Sequence, residues 1–461
     1  MGTEAFSVVG RRVVVVGAAR SGIAAAELLM RRGANVVLTD IRPTFADAAR
    51  VRESGVELEL GGHSAGTFAA ADLVVMSPGV PADDSIFDAP RQRGVEVIGE
   101  LELASRWVKG AIVAITGTKG KSTTTTLLGR MLNEEGRPVL VGGNIGVPLS
   151  AQVEASTPET VHVVEVSSFQ LETTVTFRPW IALWLNIAAD HLDRHASIEE
   201  YAAAKARIFA SQQAGDFAVV NADDATVMGH SEGLAAQRVQ FSPSGRIAEG
   251  FVVDGEWIVR RTRTAVERLI PVSAVELTGR HMLHNVIAAA AVAALAGVRP
   301  KAMTQALAGF HGLEHVMEPV GRIGDVRFVN DSKATNVEAA RRSIESFTGV
   351  VALVGGRFKG GDLRDLRAPL ASHGRAVVAI GEAAPLVKDA LQDLLPVMGA
   401  ASMREAVAHA YEAAAPDGVV LLAPACASFD WFKDYAERGR VFKEEVARLR
   451  EKRGGEPTRG S

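Results

Sequence analysis

The sequence predicts an α/β protein of three domains, each built on an open sheet of mainly parallel strands. Short apolar runs such as RRVVVVG, AIVAIT and GVVALVGG alternate with stretches of helical periodicity, a pattern typical of repeated strand–helix units. Glycine and small polar residues follow these runs, where ligands approach the carboxyl ends of parallel strands. A chain of 461 residues is long enough for two or three domains.

The first domain is expected over residues 1–109 and is Rossmann-like. Its opening, RRVVVVGAARSGIAAAELLMRRGANVVLTD, predicts a strand, a small-residue turn, a helix and a second strand that ends at Asp40. The start of this helix, near Ser21, is expected to lie under a phosphate or diphosphate. Asp40 would either accept a hydrogen bond from a ribose hydroxyl or cap a turn. The positions of the dinucleotide glycine fingerprint are occupied by Gly17, Ala19 and Gly22. This partial match is weak evidence for NAD.

The second domain, expected over residues 110–313 with a parallel sheet, contains the motif GTKGKST between an apolar strand and an amphipathic helix. Such a loop holds phosphate, because its glycines let backbone N–H groups close on anionic oxygens. Lys121 supplies a positive charge and Ser122 a hydroxyl for Mg²⁺. Ile115 stands where the general GxxxxGK[ST] motif has its first glycine, and a glycine turn capped by Ser122 is the alternative interpretation. The predicted triphosphate loop comprises Gly117, Thr118, Lys119, Gly120, Lys121, Ser122 and Thr123.

Acidic and histidine residues follow two apolar strands of this domain. Glu165 lies in VHVVEVSSFQL, where a carboxylate is costly unless it is paired or bound to a cation. The segment NIAADHLDRH places His191 and His195 four positions apart, a spacing that fits either a surface helix or a pair of metal ligands. On composition alone, Lys205 in SIEEYAAAKARIF would be a solvated helix lysine.

Composition favours a cytoplasmic enzyme. Apolar residues make up 47% of the chain, but no uninterrupted apolar run approaches the roughly 20 residues that span a bilayer, and the start MGTEAFSVVGRR lacks the pattern of a secretory signal. The single cysteine, Cys426, excludes an intramolecular disulfide. A net charge of −4 without basic blocks argues against nucleic-acid binding. A third open-sheet domain is expected over residues 314–450, and residues 451–461 are expected to form a flexible tail.

Seven segments, spread in order over nearly the whole chain, carry a family resemblance: GTKGKST, GGNIG, EVSSFQLE, DHLDRH, YAAAK, NDSKATN and PACASFDWFKDYAERGRVF. They resemble the ATP-dependent Mur ligases of peptidoglycan synthesis. The resemblance implies an N-terminal Rossmann-like domain for a UDP-linked substrate, a central P-loop-type ATPase domain, and a C-terminal domain that brings the amino acid. It implies that ATP drives the joining of D-glutamate to UDP-N-acetylmuramoyl-L-alanine through an acyl phosphate, with two Mg²⁺ ions, in a cytoplasmic monomer without membrane or nucleic-acid partners.

The resemblance also implies roles for individual residues. The implied catalytic residues are Lys121, Glu165, His191 and Lys205. The implied metal ligands are Ser122, Glu165, His191 and Lys205, the last as a carbamate, which turns an ammonium into an anionic oxygen ligand. Beyond the phosphate loop, the implied ATP contacts are Asn285, His315, Asp331 and Lys333. The implied contacts to the UDP-linked substrate are Ser21, Gly22, Asp40, Arg42, Ser77 and Asn144. The implied contacts to glutamate are Thr335, Lys359, Ser428 and Tyr435.

Two departures from the family pattern concern the nucleotide. Met282 stands where an asparagine is usual, and Val316 where an arginine is common, so altered nucleotide affinity is expected. Three alternatives stay open at this point: a dehydrogenase that uses the first glycine turn, a non-catalytic nucleotide-controlled interaction module, and a Mur ligase for L-glutamate or another amino acid. NDSKATN and CASFD favour glutamate over diaminopimelate or lysine, but mirror-image glutamates carry the same charges.

Overall fold

The computed structural model describes residues 6–188, 194–275, 280–310, 312–358 and 360–453. The chain divides into two compact units, Met1–Phe310 and His311–Ser461. Two sheets belong to the first unit and one to the second. The predicted α/β class with mainly parallel sheets is confirmed, whereas the predicted domain boundaries stay predictions. Among the described residues, no helix is long and apolar enough to cross a membrane.

The first sheet is entirely parallel, in the order β3-β2-β1-β4-β5. Its strands are β1 Arg12–Val16, β2 Asn35–Asp40, β3 Glu57–Leu60, β4 Leu73–Met76 and β5 Val97–Gly99. Its helices are α1 Arg20–Arg31, α2 Ala48–Glu53, α3 Ala65–Ala69, α4 Asp88–Gln92 and α5 Glu100–Ser105. Val13 and Val14 of β1 belong to different apolar clusters, so both faces of the sheet are covered, which explains the unbroken apolar run.

The second sheet has the order β14-β13-β12-β11-β10-β9-β6-β8-β7. Its strands are β6 Ala111–Thr116, β7 Val139–Gly143, β8 Val161–Glu165, β9 Ile181–Trp184, β10 Phe217–Asn221, β11 Gln237–Ser242, β12 Gly250–Asp254, β13 Trp257–Arg261 and β14 Val266–Pro271. Its helices are α6 Lys121–Glu134, α7 Leu149–Gln152, α8 Ser168–Glu172, α9 Ile198–Ala206, α10 Ala225–Gly229, α11 Arg280–Leu295 and α12 Pro300–Leu307.

The second sheet departs from the purely parallel prediction at one edge. Strands β7 to β12 are parallel, but β12, β13 and β14 form an antiparallel meander. The first hairpin of this meander turns at Gly255, which has a φ of +58°. The Asp-Gly pair between two alternating apolar runs is a hairpin signal, and the prediction of strand–helix alternation overlooked it.

The third sheet, in the second unit, has the order β15-β16-β20-β17-β18-β19, and β15 is its antiparallel edge strand. Its strands are β15 Glu318–Ile323, β16 Val326–Asn330, β17 Val350–Gly355, β18 Gly374–Ile380, β19 Val397–Gly399 and β20 Val419–Leu422. Its helices are α13 Val337–Glu345, α14 Arg367–His373, α15 Ala384–Leu391, α16 Met403–Ala414 and α17 Tyr435–Lys452. The C-terminal helix therefore extends two residues into the predicted tail.

A buried carboxylate joins the first two sheets. Glu102 of α5 accepts hydrogen bonds from the backbone N–H groups of Val175, Thr176 and Phe177 at 2.9 to 3.1 Å, and from Arg106 Nε at 3.0 Å. Burial alone would raise the pKa of Glu102, but these hydrogen bonds hold it below its usual value. This anchor fixes α5 against the segment that follows α8.

His162 of β8 is fully buried and is held in one tautomer. Ser156 Oγ accepts from the backbone N–H groups of Lys109 and Gly110, so its own proton can go to His162 Nε2 at 2.8 Å. His162 Nδ1–H then donates to Gln152 Oε1 at 3.1 Å. Burial lowers the pKa of His162 to about 4, because the apolar interior disfavours the charged ring.

Acidification should therefore destabilise this protein through His162. An unfolded histidine takes up a proton near its ordinary pKa of 6.5, whereas the folded one does so at about 4. Stability present at pH 7 is thus lost progressively as the pH falls through this window, by up to about 3 kcal/mol. Urea unfolding between pH 7 and pH 4 measures the loss, which should be smaller in His162→Gln. An identical pH dependence in both proteins would contradict the assignment.

Candidate functional site

The phosphate loop lies between β6 and α6, as predicted. Gly117 and Gly120 have φ values of +150° and +81°, a backbone region that L side chains rarely adopt. A Cβ on Gly117 would lie 2.9 Å from Leu185 Cβ, and a Cβ on Gly120 would lie 2.2 Å from Asn285 Oδ1. Gly117 is therefore required by conformation and by space, and Gly120 by its conformation. The 14-residue helix α6 begins directly after the loop, and the first backbone N–H groups of a helix have no partner within the helix itself.

Asn186, which the sequence analysis did not identify, holds the loop in shape. Its Oδ1 accepts from the backbone N–H groups of Thr118 and Lys119 at 3.1 and 2.9 Å. Its Nδ2 donates to Lys119 O at 3.1 Å. The only sequence signal for this role was the position of Asn186 directly after an apolar strand.

Two lysine side chains reach the same part of the loop. Lys121 Nζ donates to Gly117 O at 2.9 Å and to Thr118 O at 3.1 Å. Lys205 Nζ also donates to Gly117 O at 2.9 Å and lies 4.4 Å from the centre of the Tyr201 ring. Lys205 is only 1% exposed, so the solvated lysine suggested by composition is wrong. Positive charge is concentrated where a polyphosphate would lie.

Glu165 connects the loop to the end of β7. Its Oε2 accepts from Ser122 Oγ at 2.6 Å and its Oε1 accepts from Asn144 Nδ2 at 2.8 Å. The pairing of β8 with β6 and β7 places Glu165 opposite Ile115 and Gly143. Although only 2% of Glu165 is exposed, both of its oxygens are thus bonded to neutral donors, which leaves its negative charge unpaired by these contacts.

This arrangement fits Mg²⁺. The ion prefers oxygen ligands and is commonly held by one or two carboxylates together with phosphate oxygens and water. Ser122 and Glu165 supply a hydroxyl and a carboxylate side by side. Within the described ranges, no group of three or more His, Cys, Asp or Glu side chains could hold a metal.

Two residues implied by the resemblance, His191 and Lys359, lie outside the described residues, and their assignments stay predictions. The neighbouring His195 is described and is only 4% exposed. Its Nε2 lies 3.0 Å from Ser168 Oγ, and its Nδ1 lies 3.4 Å from Glu172 Oε1. The ring also stacks on Phe169. His195 is therefore a packed histidine held by α8, and not a surface residue.

A cavity of about 490 Å³ opens at the carboxyl ends of β1, β2 and β4. These strands flank the point at which the strand order reverses, where ligands bind in open α/β sheets. Of the six residues assigned to the UDP-linked substrate, five line the cavity: Ser21, Asp40, Arg42, Ser77 and Asn144. The sixth, Gly22, lies behind the wall, where a Cβ would come within 1.8 Å of Gly17 O.

The carboxylate of Asp40 accepts hydrogen bonds from the turns that line this cavity. Oδ2 accepts from the backbone N–H of Ala18 at 2.6 Å, and Oδ1 accepts from the backbone N–H of Arg42 at 2.8 Å. Hydrogen bonds from the Arg42 guanidinium at 2.8 and 2.9 Å hold the pKa of Asp40 far below its usual range. The turn-capping interpretation of Asp40 is thus observed directly. Arg42 is fixed by the same bonds while 51% of its side chain stays exposed.

The cavity also has lining residues that the sequence analysis missed, among them Ile41, His63 and Gln170. Ile41 is 72% exposed and presents an apolar surface beside Arg42. His63 follows β3 in the segment GGH, and nothing in its spacing marked it. Gln170 belongs to α8, which follows a strand of the second sheet. No local sequence pattern could therefore have predicted that it lines a cavity at the edge of the first sheet.

In the second unit, four of the described candidates meet near the end of β16. Asp331 Oδ1 accepts from the backbone N–H of Met317 at 3.2 Å and Oδ2 from Ser343 Oγ, and burial raises the pKa of Asp331. The backbone N–H of Lys333 donates to His315 O at 3.0 Å. The His315 ring meets Tyr435 edge-on, with centroids 6.3 Å apart.

The two other described candidates of this unit lie close in sequence to that group. Thr335 donates its backbone N–H to Lys333 O at 2.8 Å, so it belongs to the same turn. Ser428 is buried, and its carbonyl accepts from the backbone N–H of Phe432 at 2.9 Å. In the first unit, Asn285 Nδ2 lies 3.9 Å from the sulfur of Met282, so the residue that departs from the family pattern contacts the remaining amide.

Family models match most of the chain. The Mur ligase MurD-like N-terminal domain matches residues 11–99, the Mur ligase middle domain matches residues 115–293, and the Mur ligase glutamate ligase domain matches residues 317–426. The chain is 46% identical to the UDP-N-acetylmuramoylalanine–D-glutamate ligase of Acidobacterium capsulatum, over 95% of this chain and 96% of that one. It is 44% identical to the protein of that name from Desulfosudis oleivorans, over 98% of both chains.

Solved structures agree on the fold. The UDP-N-acetylmuramate–alanine ligase MurC of Thermotoga maritima superposes with a TM-score of 0.56 at 18% identity, over 95% of this chain and all of that chain (100%). The MurF ligase of the same organism, solved in complex with ADP, gives the same TM-score of 0.56 at 18% identity, over 97% of this chain and 96% of that one. These structures share the fold, and the matched domains together with the relatives of more than 40% identity establish that the chain belongs to the Mur ligase family.

Proposed function

We propose that this protein is an ATP-dependent ligase that joins D-glutamate to UDP-N-acetylmuramoyl-L-alanine. Relatives that bear the name of this activity are more than 40% identical over nearly the full chain. The observation that carries the proposal is the chain of hydrogen bonds from Ser122 through Glu165 to Asn144. Ser122 belongs to the phosphate loop, and Asn144 lines the nucleotide-sized cavity. One buried carboxylate thus links the site for the triphosphate to the site for the acceptor.

The chemistry requires such a link. A carboxylate reacts poorly with an amine, because its oxygen is a poor leaving group. Transfer of the γ-phosphoryl group of ATP to the alanyl carboxylate gives an acyl phosphate, and attack by the glutamate amine then expels phosphate. Phosphoryl transfer depends mainly on positioning and on neutralising charge. We assign these tasks to the loop N–H groups and Lys121, which lie at one end of the hydrogen-bond chain.

A bound Mg²⁺ would neutralise the repulsion between the phosphate and carboxylate oxygens that must meet. Ser122 and Glu165 would hold this ion. For a second ion we propose His191 and a carbamylated Lys205. The Lys205 amine is buried beside the loop carbonyl of Gly117, and its carbamate would offer anionic oxygens in place of a repelling ammonium.

Further contacts complete the proposal. We assign ATP contacts to Asn285, His315, Asp331 and Lys333, and glutamate contacts to Thr335, Lys359, Ser428 and Tyr435. A dicarboxylate needs donors at both ends, and an ammonium and hydroxyls supply them. We place the reaction in the cytoplasm and expect a monomer that needs no nucleic acid or membrane.

The test is ADP release by the purified protein with UDP-N-acetylmuramoyl-L-alanine and a panel of D- and L-amino acids. We expect release that depends on both the UDP-linked substrate and D-glutamate. Equal rates with L-glutamate would overturn the assigned handedness. ATP hydrolysis that needs neither substrate would support a nucleotide-controlled interaction module instead.

A further inference from the structure

His63 is held in a fixed orientation at the wall of the substrate cavity. Its Nδ1 lies 2.8 Å from Thr39 Oγ1, and Thr39 is fully buried in β2. The ring packs edge-on against Phe68, with an interplanar angle of 86° and centroids 6.2 Å apart. Two contacts on different elements thus fix the ring, and His63 lines the cavity.

The hydrogen bonds around Thr39 decide which nitrogen of His63 carries the proton. Thr39 Oγ1 also lies 3.2 Å from Gly62 O and 3.4 Å from Glu59 Oε1, and neither a carbonyl nor a carboxylate can donate. The single hydroxyl proton of Thr39 is therefore donated to these two acceptors. His63 Nδ1 in turn carries a proton and donates it to the oxygen of Thr39. With that proton on Nδ1, Nε2 is left as an acceptor. No hydrogen bond to Nε2 occurs within the described residues.

The position of His63 points to the nucleoside rather than the diphosphate. A diphosphate would bind at the start of α1, where Arg20 and Ser21 line the wall of the cavity. His63 follows β3, which pairs with β2 on the far side of β1. In sheets of this type, the end of β2 approaches the ribose. An acceptor at this end suits a hydrogen-bond donor and would repel a phosphate oxygen.

We propose that His63 is a specificity-determining residue whose Nε2 accepts a hydrogen bond from the nucleoside of the UDP-linked substrate. The donor on uridine is either the N3–H of uracil or the 2′-hydroxyl of the ribose. This inference rests on the proposed function, because it assumes that the cavity binds the UDP-linked substrate. His63 acts on binding and takes no part in the chemical step.

Two matched variants separate the two nitrogens. The amide of His63→Asn stands near the place of Nδ1, so it keeps the contact with Thr39 and loses the acceptor. The amide of His63→Gln reaches the place of Nε2 and restores an acceptor. One net hydrogen bond corresponds to about a threefold to tenfold change in affinity. We expect His63→Asn to raise KM for UDP-N-acetylmuramoyl-L-alanine by that factor, and His63→Gln to raise it less than about twofold.

The kcat and the KM for ATP should stay unchanged in both variants, and thermal unfolding should show that both are folded. Inhibition by UDP, 2′-deoxy-UDP and CDP identifies the donor, since the preference of the wild type for UDP over one analogue should shrink in His63→Asn. An active wild type whose KM and analogue preferences are unchanged in His63→Asn would overturn the inference alone. A wild type that UDP does not inhibit and that shows no ligase activity would overturn the proposed function as well.

Discussion

Lys121→Ala is expected to lower kcat for ADP formation by about 100-fold to 1000-fold, the usual cost of removing one group that stabilises charge in the transition state. The ammonium of Lys121 lies within 3.1 Å of two loop carbonyls, at the start of α6. A triphosphate in the loop would therefore gain this cation as a direct contact. Alanine keeps the helix, because its helix propensity is the highest of all residues.

The control for Lys121→Ala is Lys301→Ala. Lys301 is an exposed lysine of α12 in the same unit, so the control removes one positive charge without touching the loop. It should keep full activity, and thermal unfolding should show both variants folded. Turnover that continues unchanged in Lys121→Ala would remove the loop from the mechanism.

Lys205→Ala should abolish ligation, with a loss in kcat of at least about 1000-fold. The side chain is buried against the loop and the Tyr201 ring, so its removal leaves a space beside Gly117. If the working group is a carbamate, a short carboxylic acid can enter that space and supply an anionic oxygen. Added acetate or propionate should then restore part of the rate.

A matched variant distinguishes the carbamate from the bare cation. Lys205→Arg keeps a positive charge near Gly117 O but does not form a stable carbamate, so it should be as inactive as alanine and should not respond to added acid. Full activity of Lys205→Ala without any additive would contradict the carbamate. Rescue of Lys205→Arg by acid to the same extent as Lys205→Ala would contradict it too.

The general architecture could be predicted because it depends on local patterns. Apolar runs and helical periodicity recur along the chain, and the strand–loop–helix around Gly117 is marked by its own glycines. The hairpins of β12 to β14 were missed because their alternation is short and the expectation of parallel units overrode the Asp-Gly signal at Gly255. Local patterns thus predict units of structure better than they predict a change of strand direction.

The candidate site was less accessible to sequence reasoning, because its contacts join distant parts of the chain. Asn186 accepts a hydrogen bond from a loop residue that lies 67 positions away in sequence. The buried Lys205 donates one to a carbonyl 88 positions away. Because composition carries no information on such distant contacts, it predicted that Lys205 is a surface residue. The hydrogen bonds between Asp40 and Arg42, in contrast, join residues two positions apart. The turn-capping interpretation of Asp40 anticipated them. The assignments of His191 and Lys359 stay predictions.

The shared carboxylate of Glu165 has a thermodynamic consequence. Glu165 accepts a hydrogen bond from Ser122 on one oxygen and from Asn144 on the other, so a ligand that replaces either bond changes the hydrogen bonding of the carboxylate that the other residue contacts. If the nucleotide binds at Ser122 and the acceptor at Asn144, as proposed, any effect of one ligand on the affinity of the other is equal in both directions, since coupling free energies are reciprocal. Through such coupling, binding of the acceptor would change the affinity of the enzyme for the nucleotide before the phosphoryl group is transferred.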